Sequence, residues 1–128
     1  MRVEFISITK TMSEVTIYHN PRCSKSRQTM ELLEERGITP KVVEYLQSPP
    51  DTETLALILE RLGLSPRQLM RKKEEPYGTL GLDDQTLSDA RLIQAMVDNP
   101  ILIERPIVVA NDRVAVGRPP ENVLTILD

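Results

Sequence analysis

Val15-Thr16-Ile17-Tyr18-His19-Asn20-Pro21-Arg22-Cys23-Ser24-Lys25-Ser26-Arg27 changes its conformational preference midway. Residues 15–19 are rich in β-branched and aromatic side chains and suit a strand. Asn20-Pro21 ends it, because proline has no N–H to give to a ladder. From residue 24 to residue 36 most side chains are good helix formers, Met30 and Leu33 share one face, and Gly37 stands at the C-cap position. Residues 41–46 then read as a short buried strand stopped by Pro49-Pro50. A strand, a helix and a second strand in close succession form a βαβ unit, so the chain belongs among the α/β folds.

Outward from this unit the middle of the chain is helical. Asp51 can cap a segment in which Leu55, Ile58, Leu59 and Leu62 follow the i, i+3, i+4, i+7 pattern, with Gly63 at its end. Ser65-Pro66-Arg67-Gln68 is a capping box with proline at the first helical position, and Leu69 and Met70 supply the apolar side before a charged end over residues 71–75. After a polar loop, Ser88 caps a helix running to Asn99, with Leu92, Ile93, Met96 and Val97 inward and Pro100 closing it. Residues 107–110 and 113–117 are two β-branched runs joined by Asn111-Asp112, a pair that tolerates positive φ and suits a two-residue hairpin. Pro119-Pro120-Glu121 starts a last amphipathic helix with Val123, Leu124 and Leu127 inward. The expected order is β-α-β, three helices, β-β-α, without internal repeat, low-complexity segment or Gly/Ser linker.

The chain has 128 residues, 40% of them apolar, which is enough for one core and a single domain. Its 16 Lys and Arg against 19 Asp and Glu give a formal net charge of −3. That balance excludes a strongly basic nucleic-acid binder, so any anion site must be local. The longest unbroken apolar run, residues 55–59, falls far short of the roughly 20 residues that span a bilayer, and no secretory h-region opens the chain. A soluble, cytoplasmic protein without membrane or nucleic-acid partners is expected. The single cysteine, Cys23, excludes an internal disulfide and a multi-thiolate metal site, so no metal is expected and redox chemistry requires an external thiol.

Cys23 falls between the first strand and the first turn of the helix, where free N–H groups and the positive end of the helix dipole favour an anion. Arg22, Lys25 and Arg27 flank it and should lower the thiol pKa further. A buried structural cysteine is the competing reading. Three cations and two serines around it favour the nucleophile instead. Ser26 occupies the place of the second cysteine in a Cys-x-x-Cys site, and Thr29 stands where a tyrosine-phosphatase loop has its arginine, so neither of those sites is present. Ser24, Lys25, Ser26 and Arg27 could still cradle a tetrahedral anion, while plain helix capping explains the serines equally well. His19 is read either as a cation that stabilises the thiolate or as a neutral group that hydrogen-bonds the loop, with the second preferred.

Tyr18-His19-Asn20-Pro21-x-Cys23-x-x-Ser26-Arg27 resembles the active-site start of the glutaredoxin-coupled arsenate reductase family. Tyr45-Leu46 with Pro49-Pro50, Leu69-Met70-Arg71-Lys72 with Glu75-Pro76-Tyr77, Asn99-Pro100-Ile101-Leu102, Arg105-Pro106-Ile107-Val108-Val109 and Arg118-Pro119 continue the resemblance in order. The resemblance implies a thioredoxin-like fold with a helical insertion between the N-terminal βαβ and C-terminal ββα units. It implies that Cys23 attacks the arsenic of arsenate while Arg71, Arg105 and Arg118 hold the oxyanion, since guanidinium forks bind tetrahedral oxyanions bidentately. Ser26 takes the role of a hydrogen-bond donor to the thiolate, and Arg105-Pro106 resembles the cis-proline step of thioredoxin folds. Also implied are glutathione as co-substrate with no bound cofactor, glutaredoxin as partner, and a monomer.

Two departures stand out. The loop reads Cys23-Ser24-Lys25-Ser26 where well-established members often have Cys-Gly-Thr-Ser, so Lys25 could alter anion affinity. Residues 1–12 lie outside the resemblance, leaving residues 13–128 as the expected domain; Val3, Phe5 and Ile8 would suit an added strand, unless the stretch reflects start-site choice. The competing functions are an Spx-type regulator that binds RNA polymerase and a thiol-transferase acting on glutathione disulfides without arsenate. Ser26 argues against the dithiol switch of the first, and the three arginines argue for anion chemistry.

Overall fold

The computed structural model describes residues 14–127; the expected extension over residues 1–12, with Val3, Phe5 and Ile8, lies outside the described residues. Contacts divide the described residues into two compact units, one of residues 14–44 and 105–127, the other Tyr45–Glu104.

The first unit is built on β1 (Val15–His19), α1 (Ser24–Glu35), β2 (Lys41–Glu44), β3 (Ile107–Ala110) and β4 (Arg113–Val116). The four strands form one sheet in the order β2-β1-β3-β4. β1 and β2 run parallel with Ile17 opposite Val42, as a βαβ crossover requires. β3 returns antiparallel to β1 with Ile17 opposite Val108, and β4 pairs with β3 with Ala110 opposite Arg113. Asn111 (φ 55°) and Asp112 (φ 64°) make the tight turn in the left-handed conformation that such a connection needs. Val15, Ile17, Leu33, Val108, Ala110, Ala115, Val123 and Ile126 form the core, with Met30 and Leu32 of α1 packed against it. This is the thioredoxin-like order of elements expected from the sequence.

Two expectations are corrected here. The strand expected over residues 41–46 to be buried ends at Glu44, and Lys41, Val42 and Glu44 are exposed. It is the edge of the sheet, paired on one side only, so its apolar pair has less to pack against. The last element is a 3-10 helix, Pro120–Ile126, instead of an α-helix. With three residues per turn, Pro120, Val123 and Ile126 fall in one line, and those are the buried residues, whereas Leu124 and Leu127 are half-buried. Asn122 N–H donates to the Pro119 carbonyl, and the side chains of Asn122 and Thr125 also bond nearby carbonyls.

The second unit is helical: α2 (Thr52–Leu62), α3 (Pro66–Leu69), α4 (Glu75–Thr79), α5 (Asp89–Asp98) and a 3-10 turn, Pro100–Leu102. Asp51 accepts from Thr54 N–H at 2.8 Å to start α2, and Gly63 (φ 70°) ends it. Ser65 and Gln68 complete the expected capping box of α3. Both α2 and α3 pack on α5, burying Leu55, Ile58, Leu59, Leu69, Leu92 and Met96. The charged residues 71–75 do not extend α3. Met70 instead bridges Ile103, with Arg71 N–H on the Leu102 carbonyl (2.7 Å) and Glu104 N–H on the Leu69 carbonyl (2.9 Å). The polar stretch that follows holds α4, an additional helix begun with proline near its N-terminus.

Candidate active site

Cys23 is the N-cap residue of α1, with extended backbone (φ −93°, ψ 124°) and its own N–H bonded to the Asn20 carbonyl at 3.0 Å. Proline at residue 21 and the end of β1 leave the chain no ladder to continue, so the helix starts here. The residue is only 8% exposed. Burial is the largest single influence on the thiol and raises its pKa. It is outweighed by the Ser26 N–H, the Arg105 guanidinium, the Lys25 N–H and the Arg118 guanidinium, which together hold the thiol below the ordinary cysteine range.

The C-terminal hairpin supplies the two arginines. Arg118 Nη1 lies 3.8 Å from Cys23 Sγ and 3.4 Å from the Arg105 carbonyl. Arg105 ends the connection into β3 and Arg118 follows β4, so pairing of β3 with β4 brings together residues far apart in the chain. The expected cis peptide is present at Arg105-Pro106, and a second, which sequence reasoning missed, is present at Arg118-Pro119. Gly117 N–H donates to the Pro106 carbonyl at 2.9 Å, tying the two prolyl steps together.

The cations adjacent in sequence have other roles. Arg27 Nη1 donates to the Pro21 carbonyl at 3.0 Å, which folds the loop onto itself, and Arg22 is exposed. Lys25 acts on the thiol through its backbone N–H. Ser24 is exposed at the first position of α1. The charges that lower the thiol pKa are thus those of Arg105 and Arg118, in place of the expected Arg22, Lys25 and Arg27.

Ser26 is fully buried, and its hydroxyl bonds within the loop. Its oxygen accepts from Asn20 N–H at 3.0 Å and lies 2.6 Å from His19 Nδ1. The His19 pKa is lowered, chiefly by burial and also by Arg27, against an opposing influence from Glu44. His19 and Ser26 thus bond within the loop, and the Ser26 N–H favours a negative sulfur.

Arg71 belongs to the other unit. Its Nη1 pairs with Glu74 Oε2 at 2.7 Å and its Nε with Glu104 Oε1 at 3.8 Å. Among the described residues no cluster of three or more His, Cys, Asp or Glu is arranged to hold a metal ion, and no helix is long and apolar enough to cross a membrane.

Residues 18–126 match the ArsC family. The chain is 59% identical over 115 residues to an Escherichia coli K12 protein named "Uncharacterized protein YfgD", covering 89% of this chain and 97% of that one. It is 53% identical over 117 residues to an arsenate reductase of Neisseria meningitidis, covering 91% of this chain and all (100%) of that one. Among solved structures, an arsenate reductase from Vibrio cholerae superposes with a TM-score of 0.86 at 53% identity, over 89% of this chain and 98% of that one.

Proposed function

The chain belongs to the ArsC family, and on that premise we propose that it reduces arsenate to arsenite with Cys23 as the nucleophile. The observation that carries this reading is the Arg118 guanidinium 3.8 Å from a Cys23 sulfur whose pKa is lowered at the start of α1. A thiolate beside fixed positive charge both attracts an oxyanion and stays nucleophilic near neutral pH.

The thiolate forms an S–As bond while one arsenate oxygen takes up protons and leaves as water. Arg105 and Arg118 hold the remaining oxygens and balance their charge, with Arg71 assigned the same task by family resemblance alone. A glutathione thiol then attacks the Cys23 sulfur, and the S–As electron pair stays with arsenic, which departs as As(III). Glutaredoxin removes glutathione from Cys23 by thiol–disulfide exchange and restores the thiol. Arsenic gains two electrons and two thiols become one disulfide. The single cysteine supports this route, because the chain has no second thiol with which to resolve the adduct. We read residues 13–128 as one domain of a monomeric, cytoplasmic enzyme that needs no bound cofactor.

The test is NADPH consumption coupled through glutathione reductase, glutathione and glutaredoxin, with and without arsenate. Consumption that requires arsenate and disappears in Cys23→Ser is expected. Consumption that proceeds equally on a glutathione mixed disulfide and ignores arsenate would replace the reading with that of a thiol-transferase.

A further inference from the structure

Gly117 is buried at the end of β4, directly before Arg118. A Cβ built on it would meet Thr29 Oγ1 at 2.5 Å, Pro106 Cγ at 2.9 Å and Thr29 Cγ2 at 3.3 Å. Contacts under 3 Å force something to move, and neither neighbour yields easily. Thr29 lies on α1, is fully buried, and its hydroxyl donates to the Lys25 carbonyl at 2.8 Å. Rotating the side chain would break that bond. Pro106 Cγ belongs to a ring whose residue is tied to Gly117 by the backbone bond at 2.9 Å. Lys25, which anchors Thr29, is also one of the two residues whose N–H faces the thiolate. The spacing between β4 and the first turns of α1 is therefore set by a glycine against a threonine, next to the pair of residues whose separation matters.

We propose that Gly117 is a positioning residue: its missing side chain lets the end of β4 seat against Thr29 and Pro106, and this seating sets the separation between the Arg118 guanidinium and the Cys23 sulfur. The proposal rests on the reading of Cys23 as the nucleophile assisted by Arg118, but it concerns the thiol itself and is tested without arsenate. Failure of the arsenate assay and failure of this proposal are thus separate results.

The experiment measures the rate of Cys23 alkylation by iodoacetamide against pH, in the full chain, for wild type, Gly117→Ala, Thr29→Ala, Thr29→Ala/Gly117→Ala and Arg118→Ala, each checked for cooperative thermal unfolding. Gly117→Ala is expected to slow alkylation near neutral pH by roughly three- to tenfold, with the midpoint moving up toward that of Arg118→Ala, the size expected for weakening one partly exposed charge contact. Thr29→Ala removes the two threonine atoms that the new methyl group meets, including the shortest contact, while Pro106 Cγ at 2.9 Å remains, so the double variant should return part of the way to the wild-type profile. A purely structural role would lower the unfolding temperature and leave the pH profile in place. A folded Gly117→Ala with the wild-type profile overturns the proposal, as does a shifted profile that Thr29→Ala fails to relieve. If Gly117→Ala alone does not yield folded protein, the double variant decides: a folded double variant whose midpoint lies between those of wild type and Arg118→Ala supports the proposal, and an unfolded or fully shifted one overturns it.

Discussion

Helix starts in the two units are built differently. In the helical unit, α2, α3 and α5 begin on Asp51, Ser65 and Ser88, each of which accepts a hydrogen bond from a backbone N–H of its own first turn. Those donors are used where they arise, and the gain is stability. In the sheet unit, α1 begins on Cys23, whose side chain closes no such bond. The N–H groups of Ser26 and Lys25 instead favour a negative sulfur, and Arg105 and Arg118 add to that preference from the hairpin. An oxygen at the cap position completes a helix, whereas a sulfur in the same position leaves the donors to stabilise a charge that chemistry can use.

The largest effect should follow from removing the sulfur. Cys23→Ser puts a good capping residue at the start of α1, so it should fold at least as well as wild type while arsenate-dependent NADPH consumption falls to background. Retained turnover would move the chemistry elsewhere. Next come Arg105→Ala and Arg118→Ala. Both should move the alkylation midpoint of Cys23 upward, because each charge lowers the thiol pKa. Loss of one oxyanion-holding group should also lower kcat/KM for arsenate on the order of a hundredfold.

In the other unit the comparison predicts the opposite pattern. Ser88→Ala removes the side chain that accepts from Arg91 N–H at 3.1 Å and should cost about 1 kcal/mol of stability, read by denaturant or thermal unfolding. The Cys23 alkylation profile should not change. Ser26→Ala should move the Cys23 midpoint only slightly, since the N–H that faces the sulfur remains. A rise in the midpoint as large as that of Arg118→Ala would return the hydroxyl to the role that family resemblance gives it.

The sequence made most of this legible where one local signal decides the outcome. Asn111-Asp112 between two β-branched runs, the Ser65 capping box and Pro21 before Cys23 each act over a few residues, and each element formed where expected. Other features depend on partners that no local pattern announces. β2 reads as buried because Val42 and Val43 are adjacent, and only the strand order reveals that it is an edge. The α4 helix hides in Glu75-Pro76-Tyr77-Gly78-Thr79, where the shortness of the stretch and the glycine inside it argue against a helix. At the site, Cys23 and the hairpin arginines were readable from residue type and order. From sequence the charges lowering its pKa are the neighbours of Cys23, since chain distance does not show that the Arg27 guanidinium bonds Pro21 while Arg118 reaches the sulfur. Gly117 and Thr29 gave no signal at all, because a missing side chain matters only when its neighbour is known.

The start of α1 together with the hairpin arginines lowers the pKa of the Cys23 thiol. This lowering is tested most directly by titrating the wild-type protein and following thiolate absorbance in the ultraviolet, with Cys23→Ser as the blank. A single thiol ionising clearly below the ordinary cysteine range of about 8 to 9 is expected. A midpoint within that range or above it would contradict this and mean that burial outweighs the amides and arginines.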